Sequence, residues 1–386
     1  MLRIAHHRRF TANHTWHVEW AGHQFFVKAN PHHAEARDER AGHERLRAYY
    51  PVPKLFGSRR FGRWTVHVYR RWPPLGHDAG LLLDEITRVD RTDDTRRLDV
   101  CLSAVFGHYR QVIPRTLCRT TNANTVSKLY GDRAGSEGRL DRYYRPDTPW
   151  RITTGARKLR PSDLSALRLL INSREHTLDF ADLMAWLRVY FANHNPVWAA
   201  LTQGDPTDVN IGWSPTTGPV WFDYDTGGLN ALAGEFACFL LYQRLHGAWL
   251  TPHYNPTVFR DHPSALAASS LAEPILDTEY DNSCLRIVYR HIPSTARRHV
   301  MHRYLNEIVH PFAEYLGVDD LMAWLRPYLV MRLLAVYHLA DLETRDAALS
   351  LALLAEALDP AITLPRFLAL TPLENGDHLP CPALSP

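Results

Sequence analysis

The reading of this chain turns on one stretch, Leu201-Thr-Gln-Gly-Asp-Pro-Thr-Asp-Val-Asn-Ile-Gly-Trp213, followed by Ser-Pro-Thr-Thr-Gly-Pro219 and Val220-Trp-Phe-Asp-Tyr-Asp225. Ile211 to Trp213 and Val220 to Phe222 are short β-prone runs around a turn containing proline and glycine, which predicts a hairpin whose open ends lie together. Asn210 stands just before the first run and Asp223 just after the second, so that pairing makes them neighbours. Asp205 precedes Asn210 by five positions and Asp223 by eighteen, a loop short enough to aim its carboxylate into the same cleft. Two carboxylates and a carboxamide oxygen converging on one volume suit Mg²⁺, which takes hard oxygen ligands and shares them with substrate phosphates. Phosphoryl transfer asks for that set: one carboxylate to orient a hydroxyl, an Asn and an Asp to hold the metal. The plain alternative is that Asp, Asn, Pro and Gly are simply what turns use.

Upstream, Thr15 to Trp20 and Gln24 to Lys28 are β-prone runs joined by Ala-Gly-His, with Gly22 available for a hairpin turn. Pro31 is placed to open a helix over His32 to Tyr50, stopped by Pro51 and Pro53. Trp64 to Tyr69 is a further strand, and Trp72-Pro-Pro-Leu-Gly76 ends it. Lysine is scarce: only Lys28, Lys54, Lys128 and Lys158 occur, so a lysine inside the Gln24–Lys28 run is unlikely to be accidental where arginine is the compositional default. A compact ammonium suits a point contact on phosphate better than a planar guanidinium.

These residues resemble the catalytic loop of the aminoglycoside phosphotransferase and choline kinase superfamily, protein-kinase-like enzymes that phosphorylate small molecules. The resemblance covers residues 8–75 loosely and 181–245 well. It implies a bilobal α+β fold, with a small antiparallel β-sheet lobe over residues 1–75 and a larger, mostly helical lobe over 76–386. The larger lobe would carry the catalytic loop 201–225 and insertions at 77–180 and 250–300 that shape the acceptor pocket. On that resemblance Asp205 is the catalytic base, Asn210 and Asp223 are metal ligands, and Asp225 supports the metal through water. Lys28 and a helix glutamate, Glu39 with Glu44 second, would position the nucleotide. Val66 to Arg70, including His67 and Tyr69, would be the hinge offering backbone hydrogen bonds to the base. Phe10-Thr-Ala-Asn-His14 falls at the phosphate-covering loop without its glycines. Gln203 stands where the family usually has His, and can replace it as a backbone hydrogen-bonding, loop-shaping residue. Thr207-Asp208-Val209 replaces the family's common H-P-G.

The implied activity is Mg²⁺-dependent transfer of the γ-phosphate of ATP or GTP to a hydroxyl of a metabolite, sugar, nucleoside or antibiotic. The alternative is a non-catalytic kinase-like module that binds nucleotide and regulates a partner. A protein kinase is a third reading, against which no D-F-G or A-P-E segment is recognisable.

Composition narrows the field. The 386 residues are 45% hydrophobic and 22% charged, the profile of a globular protein with two or three domains' worth of chain. A formal net charge of +3 gives no support to nucleic-acid or membrane-surface binding driven by bulk charge, and favours a neutral or anionic acceptor. The longest apolar segment, Leu321 to Leu339, is broken by Arg326 and Arg332, and the N-terminus has no apolar run behind its basic residues. A soluble cytoplasmic protein is expected. Five scattered cysteines (101, 118, 238, 284, 381) read as reduced thiols, and 22 histidines as ordinary surface or core residues rather than a metal site. Gly131 to Pro149 reads as a mobile loop, and Arg297 to Leu358 as mostly helix. Glu235 is expected to tie a buried helix start to the catalytic loop. Asp182 to Tyr190 and Asp320 to Tyr328 match at eight of nine positions. Their flanks do not match, so they read as two similar helix faces rather than a repeat.

Overall fold

The computed structural model describes residues 2–371 except 11–12, 74–77, 146, 155–156, 193, 260–261 and 282. The expected frayed tail after Pro372, and two residues of the expected phosphate-covering loop, Thr11 and Ala12, lie outside the described residues.

The first lobe is a five-stranded antiparallel sheet in the order β1-β2-β3-β5-β4, with one helix. β1 (Leu2–Phe10) pairs with β2 (Asn13–Trp20), and β2 with β3 (His23–Asn30). Ala21 and Gly22, both at positive φ (48° and 78°), form the two-residue turn between β2 and β3, matching the right-handed strand twist. Helix α1 (His33–Leu46) is N-capped by His32, so Pro31 precedes the helix instead of opening it. The helix also ends before Pro51 and Pro53, at Leu46, with the Arg47 amide donating to the His43 carbonyl. β4 (Leu55–Phe61) and β5 (Trp64–Arg70) complete the sheet. β4 escapes a sequence reading because it is an edge strand, largely exposed and carrying Gly57, Ser58, Arg59 and Arg60.

The second lobe begins with β6 (Gly80–Leu81), α2 (Leu82–Thr92), α3 (Arg96–Thr116) and β7 (Cys118–Thr121). The predicted hairpin forms as Ile211–Ser214 against Gly218–Trp221, in the register Ile211↔Trp221, with β6 on its outer edge. The strand Pro196–Thr202, which feeds the catalytic loop, lies between Gly228–Ala231 and β7. One continuous core unites the helices Leu232–Leu241, Leu321–Ala335 and Thr344–Leu358 with Leu46, Tyr50 and Tyr69 of the first lobe. Trp221, fully buried, stacks edge-on against Tyr50 at 5.0 Å and carries the contact between lobes.

Two expectations are corrected here. Within Gly131 to Pro149 the chain forms α4 (Gly131–Ala134) and α5 (Arg139–Tyr144). Leu140 is buried, and the buried Tyr144 hydroxyl donates to the Leu334 carbonyl; these anchors are hidden by the surrounding Gly, Arg and Asp. The region beyond residue 77 is also not uniformly helical. Arg168–Ile171 pairs in parallel with Cys284–Arg290, giving a four-stranded sheet with Arg174–His176 and Ile275–Asp281 on the outer edges. This sheet packs on the helix Thr344–Leu358, where the Tyr289 hydroxyl donates to Glu356 at 2.6 Å.

The two matching segments lie in the helices Phe180–Tyr190 and Leu321–Ala335. The first is capped by Asp179 and the second by Asp320, so the matched Asp182 and Asp320 occupy different helical positions. The equivalent Tyr190 and Tyr328 rings meet nearly perpendicular at 5.8 Å. These are similar faces packed on each other. Among the described residues no helix is long and apolar enough to cross a membrane.

Candidate active site

Lys28 projects from β3 into the space between the lobes. Its Nζ lies 2.8 Å from Glu39 Oε2 on α1 and 3.0 Å from Asp223 Oδ1 beyond the hairpin. Burial works against the ammonium charge, but Asp223 and Glu39 outweigh it and hold the Lys28 pKa above its ordinary value. Glu39 is in turn braced by the Tyr69 hydroxyl at 2.9 Å. Glu44, the second choice for this pairing, instead meets Arg47 on the exposed face of α1. The helix is pressed onto the metal-loop backbone: a Cβ at Gly42 would stand 1.7 Å from the Tyr224 carbonyl oxygen. Only glycine fits there.

Asp223 adopts a left-handed conformation, φ 56°, which places its carboxylate toward Lys28 and stores backbone strain. Gln203 supports that conformation, its Nε2 donating to the carbonyls of Phe222 (3.0 Å) and Asp223 (2.6 Å). The Asp205 amide donates to Gln203 Oε1 at 2.7 Å, so one carboxamide clamps both loops. The Phe222 amide donates to the Asn210 carbonyl, extending the hairpin ladder and setting Asn210 beside Asp223. The Asn210 amide nitrogen is spent on the Asp205 carbonyl (2.9 Å), which leaves Oδ1 as the atom for a cation. Lys28 pulls the Asp223 carboxyl below its ordinary pKa. Burial and the like charge of Asp223 push Asp225 up to about 6, against the Lys128 ammonium that bonds it.

Asp205 is held at one oxygen. Arg332 Nη2, from the helix Leu321–Ala335, lies 3.1 Å from Oδ1, and the buried Cys238 thiol donates to the same atom at 3.0 Å. Beneath the loop, buried Glu235 accepts from Gly204 N (2.9 Å), Thr202 Oγ1 (2.7 Å) and the Tyr109 hydroxyl (3.0 Å). It ties its helix start to the loop, and burial pushes its pKa up to about 7.

A cavity of about 490 Å³ opens between the lobes, bounded by Lys28, Glu39, Asn210 and Asp223 at one end and by apolar walls including Phe26 and Phe222. That is the size and character of a small-ligand cleft. A lysine from an antiparallel sheet, paired to a helix glutamate and facing an aspartate that follows the hairpin Ile211–Trp221, defines the architecture. The fold is protein-kinase-like.

No family model matches the chain, and no curated protein matches it. Among solved structures it is similar to a thermostable mutant of the aminoglycoside phosphotransferase APH(4)-Ia, at 10% identity over 85% of this chain and 93% of that one, TM-score 0.40. It is similar to the amicoumacin kinase hAmiN in complex with AMP-PNP and Ca²⁺, at 12% identity over 95% and 92% of the two chains, TM-score 0.41. A third is an aminoglycoside-3′-phosphotransferase of type VIII, at 18% identity over 69% and 84%, TM-score 0.38.

Lys28, Glu39, Asn210 and Asp223 line the cavity together; Asp205 and Asp225 do not line it, Asp205 being joined to Asn210 through its carbonyl and Asp225 to Lys128. The hinge expectation is corrected. β5 lies between β3 and β4, His67 pairing with Lys28 and Ser58, and Tyr69 with Phe26 and Leu55, so its backbone groups serve the sheet. His67 is fully buried and does not line the cavity; Tyr69 lines it as the brace of Glu39. The Arg71 amide still donates to Gln24, and the chain then passes along the cavity at Trp72 and Pro73.

Three site residues escaped the sequence reading. Lys128 carried the same signal as Lys28, a rare lysine in an arginine-rich chain. Cys238 and Arg332 carried none, because their contacts with Asp205 exist only once distant helices pack.

Proposed function

We propose that this chain transfers the γ-phosphate of a nucleoside triphosphate to a hydroxyl of a small molecule. The observation that carries the reading is Lys28 Nζ bridging Glu39 and Asp223, three residues from separate segments converging on a nucleotide-sized cleft. Asn210 Oδ1 and the carboxylates of Asp223 and Asp225 form an all-oxygen set fit for Mg²⁺, and both carboxylates already attract a lysine ammonium. Bound there, the ion would bridge nucleotide phosphates and neutralise charge during transfer. Lys28, fixed by Glu39, is placed to contact phosphate oxygens. Asp205, restrained at Oδ1, offers Oδ2 to orient an acceptor hydroxyl and take its proton.

The intact Asp205, Asn210 and Asp223 favour this reading over a non-catalytic nucleotide-binding module. The test is formation of a phosphorylated product from a panel of hydroxylated metabolites and antibiotics with ATP or GTP. Asp205→Ala should keep nucleotide affinity within about twofold while losing on the order of 10²–10⁴ in turnover. Retained turnover in that variant would remove Asp205 from the reaction. Nucleotide binding with no phosphorylated product from any acceptor would favour the regulatory module.

A further inference from the structure

Around Asp205, among residues that do not line the cavity between the lobes, guanidinium groups gather with only part of their hydrogen-bonding capacity met. Arg332 is 4% exposed; Nη2 serves Asp205, while Nε and Nη1 are buried and have no hydrogen-bond partner among the described residues. Arg133 of α4 likewise has a buried, unpartnered Nη1. Arg139 of α5 reaches only a neutral group, the Ala335 carbonyl at 2.8 Å, one turn beyond Arg332 on the same helix. His246, 2% exposed, keeps an unpartnered Nδ1, and burial followed by the charges of Arg332 and Arg133 holds it neutral. Asp205 is the one carboxylate ion-paired to this group among the described residues.

Buried guanidinium nitrogens left without acceptors are costly, and the usual resolution is a bound oxyanion, which a guanidinium fork matches in geometry. None of these residues lines the nucleotide cavity, so nucleotide phosphates in that cavity do not supply the missing charge. Burial first, then the charges of Arg139 and Arg332, bring Arg133 down to about 9.

We propose that Arg133 and Arg332, with His246 beside them, form an oxyanion subsite that makes the acceptor a hydroxylated anion, a carboxylate or a phosphate ester. The identity of this ligand as acceptor rests on the phosphotransferase reading. Arg332 both holds Asp205 and offers its remaining nitrogens to the anion, so hydroxyl and anionic group lie close together on the acceptor. Arg133 positions the anion and takes no part in the transfer.

The experiment follows thermal stabilisation of the full chain by inorganic phosphate alone and by tartrate alone, at constant ionic strength. It uses a Lys28→Ala background, which removes the nucleotide-phosphate contact. Either anion should raise the melting temperature saturably, and Arg133→Gln should weaken the response about tenfold. Arg133→Lys should restore part of it. A response to phosphate alone assigns a phosphorylated alcohol, and a response to tartrate alone assigns a hydroxy acid. Stabilisation by neither anion, or a response that Arg133→Gln leaves unchanged, overturns the subsite. In the chain with Lys28 intact, Arg133→Gln should leave Mg²⁺-nucleotide stabilisation unchanged. With Arg133 intact, absence of any anion response while nucleotide stabilisation is retained overturns the subsite alone. An anion response without any nucleotide stabilisation overturns the phosphotransferase reading alone.

Discussion

The two sides of Asp205 are built on opposite electrostatic plans. On the Lys28 side, each ammonium has its carboxylate: Lys28 answers Glu39 and Asp223, and Lys128 answers Asp225. Toward the helices Leu232–Leu241 and Leu321–Ala335, guanidinium groups outnumber carboxylates and leave buried nitrogens unbonded. A cluster with three carboxylates to two ammonium groups suits a ligand that arrives with its own cation, whereas a surplus of guanidinium needs the ligand to bring negative charge. On the proposed reading, the difference divides metal-nucleotide recognition from acceptor recognition, with one carboxylate as the shared boundary.

Three perturbations test that division on the nucleotide side. The largest effect belongs to Asp223→Ala, which leaves Lys28 with Glu39 alone and removes one carboxylate proposed to hold the metal. Mg²⁺-dependent nucleotide stabilisation in a thermal-shift assay should disappear, while the anion response on the other side of Asp205 persists. Gly42→Ala comes next. The added methyl must displace α1 or the Tyr224 backbone, at a cost of about 1–3 kcal/mol by overpacking, read as a lower denaturation midpoint. Because α1 carries Glu39, nucleotide affinity should fall as well; an unchanged midpoint and affinity would show that the helix is not pinned.

The effect most restricted in range is expected from Glu235→Gln and appears only as pH dependence. The folded pKa of Glu235 is raised to about 7 from 4.5, so the fold binds more protons than the unfolded chain between those values. Stability contributed by this group is therefore present below pH 4.5 and lost as pH rises through 7, by about 3 kcal/mol in all. Denaturant unfolding from pH 4.5 to 8 should show the wild-type stability falling relative to Glu235→Gln across that window. Parallel curves would show that Glu235 does not titrate there.

The hairpin and the neighbours at its open end were legible because they are written in local spacing: Asp205 stands five positions before Asn210 and eighteen before Asp223, with two short β-prone runs between. Lys28 was legible because lysine is rare. The same argument applied to Lys128 would have found the partner of Asp225, but its loop offered no regular element on which to place it. Arg332 and Cys238 could not be assigned, since each lies on a buried helix where a polar side chain gives no sign of what it faces. The strands Arg168–Ile171 and Cys284–Arg290 were missed for a related reason: their pairing is parallel and joins segments far apart in the chain, so no turn signal announces it. The hinge was placed too early because a strand's sequence does not reveal that neighbours flank it on both sides.

That parallel pairing has a consequence for how the scaffold can change. The segments 168–176 and 275–290 each contribute two strands to a single sheet, so each depends on the other. Excising either piece would strip its partner of a ladder of main-chain bonds and bare a raw strand border beside the helix Thr344–Leu358. Trimming this protein toward a minimal scaffold therefore requires removing both pieces together, and lineages that shorten one should have shortened the other.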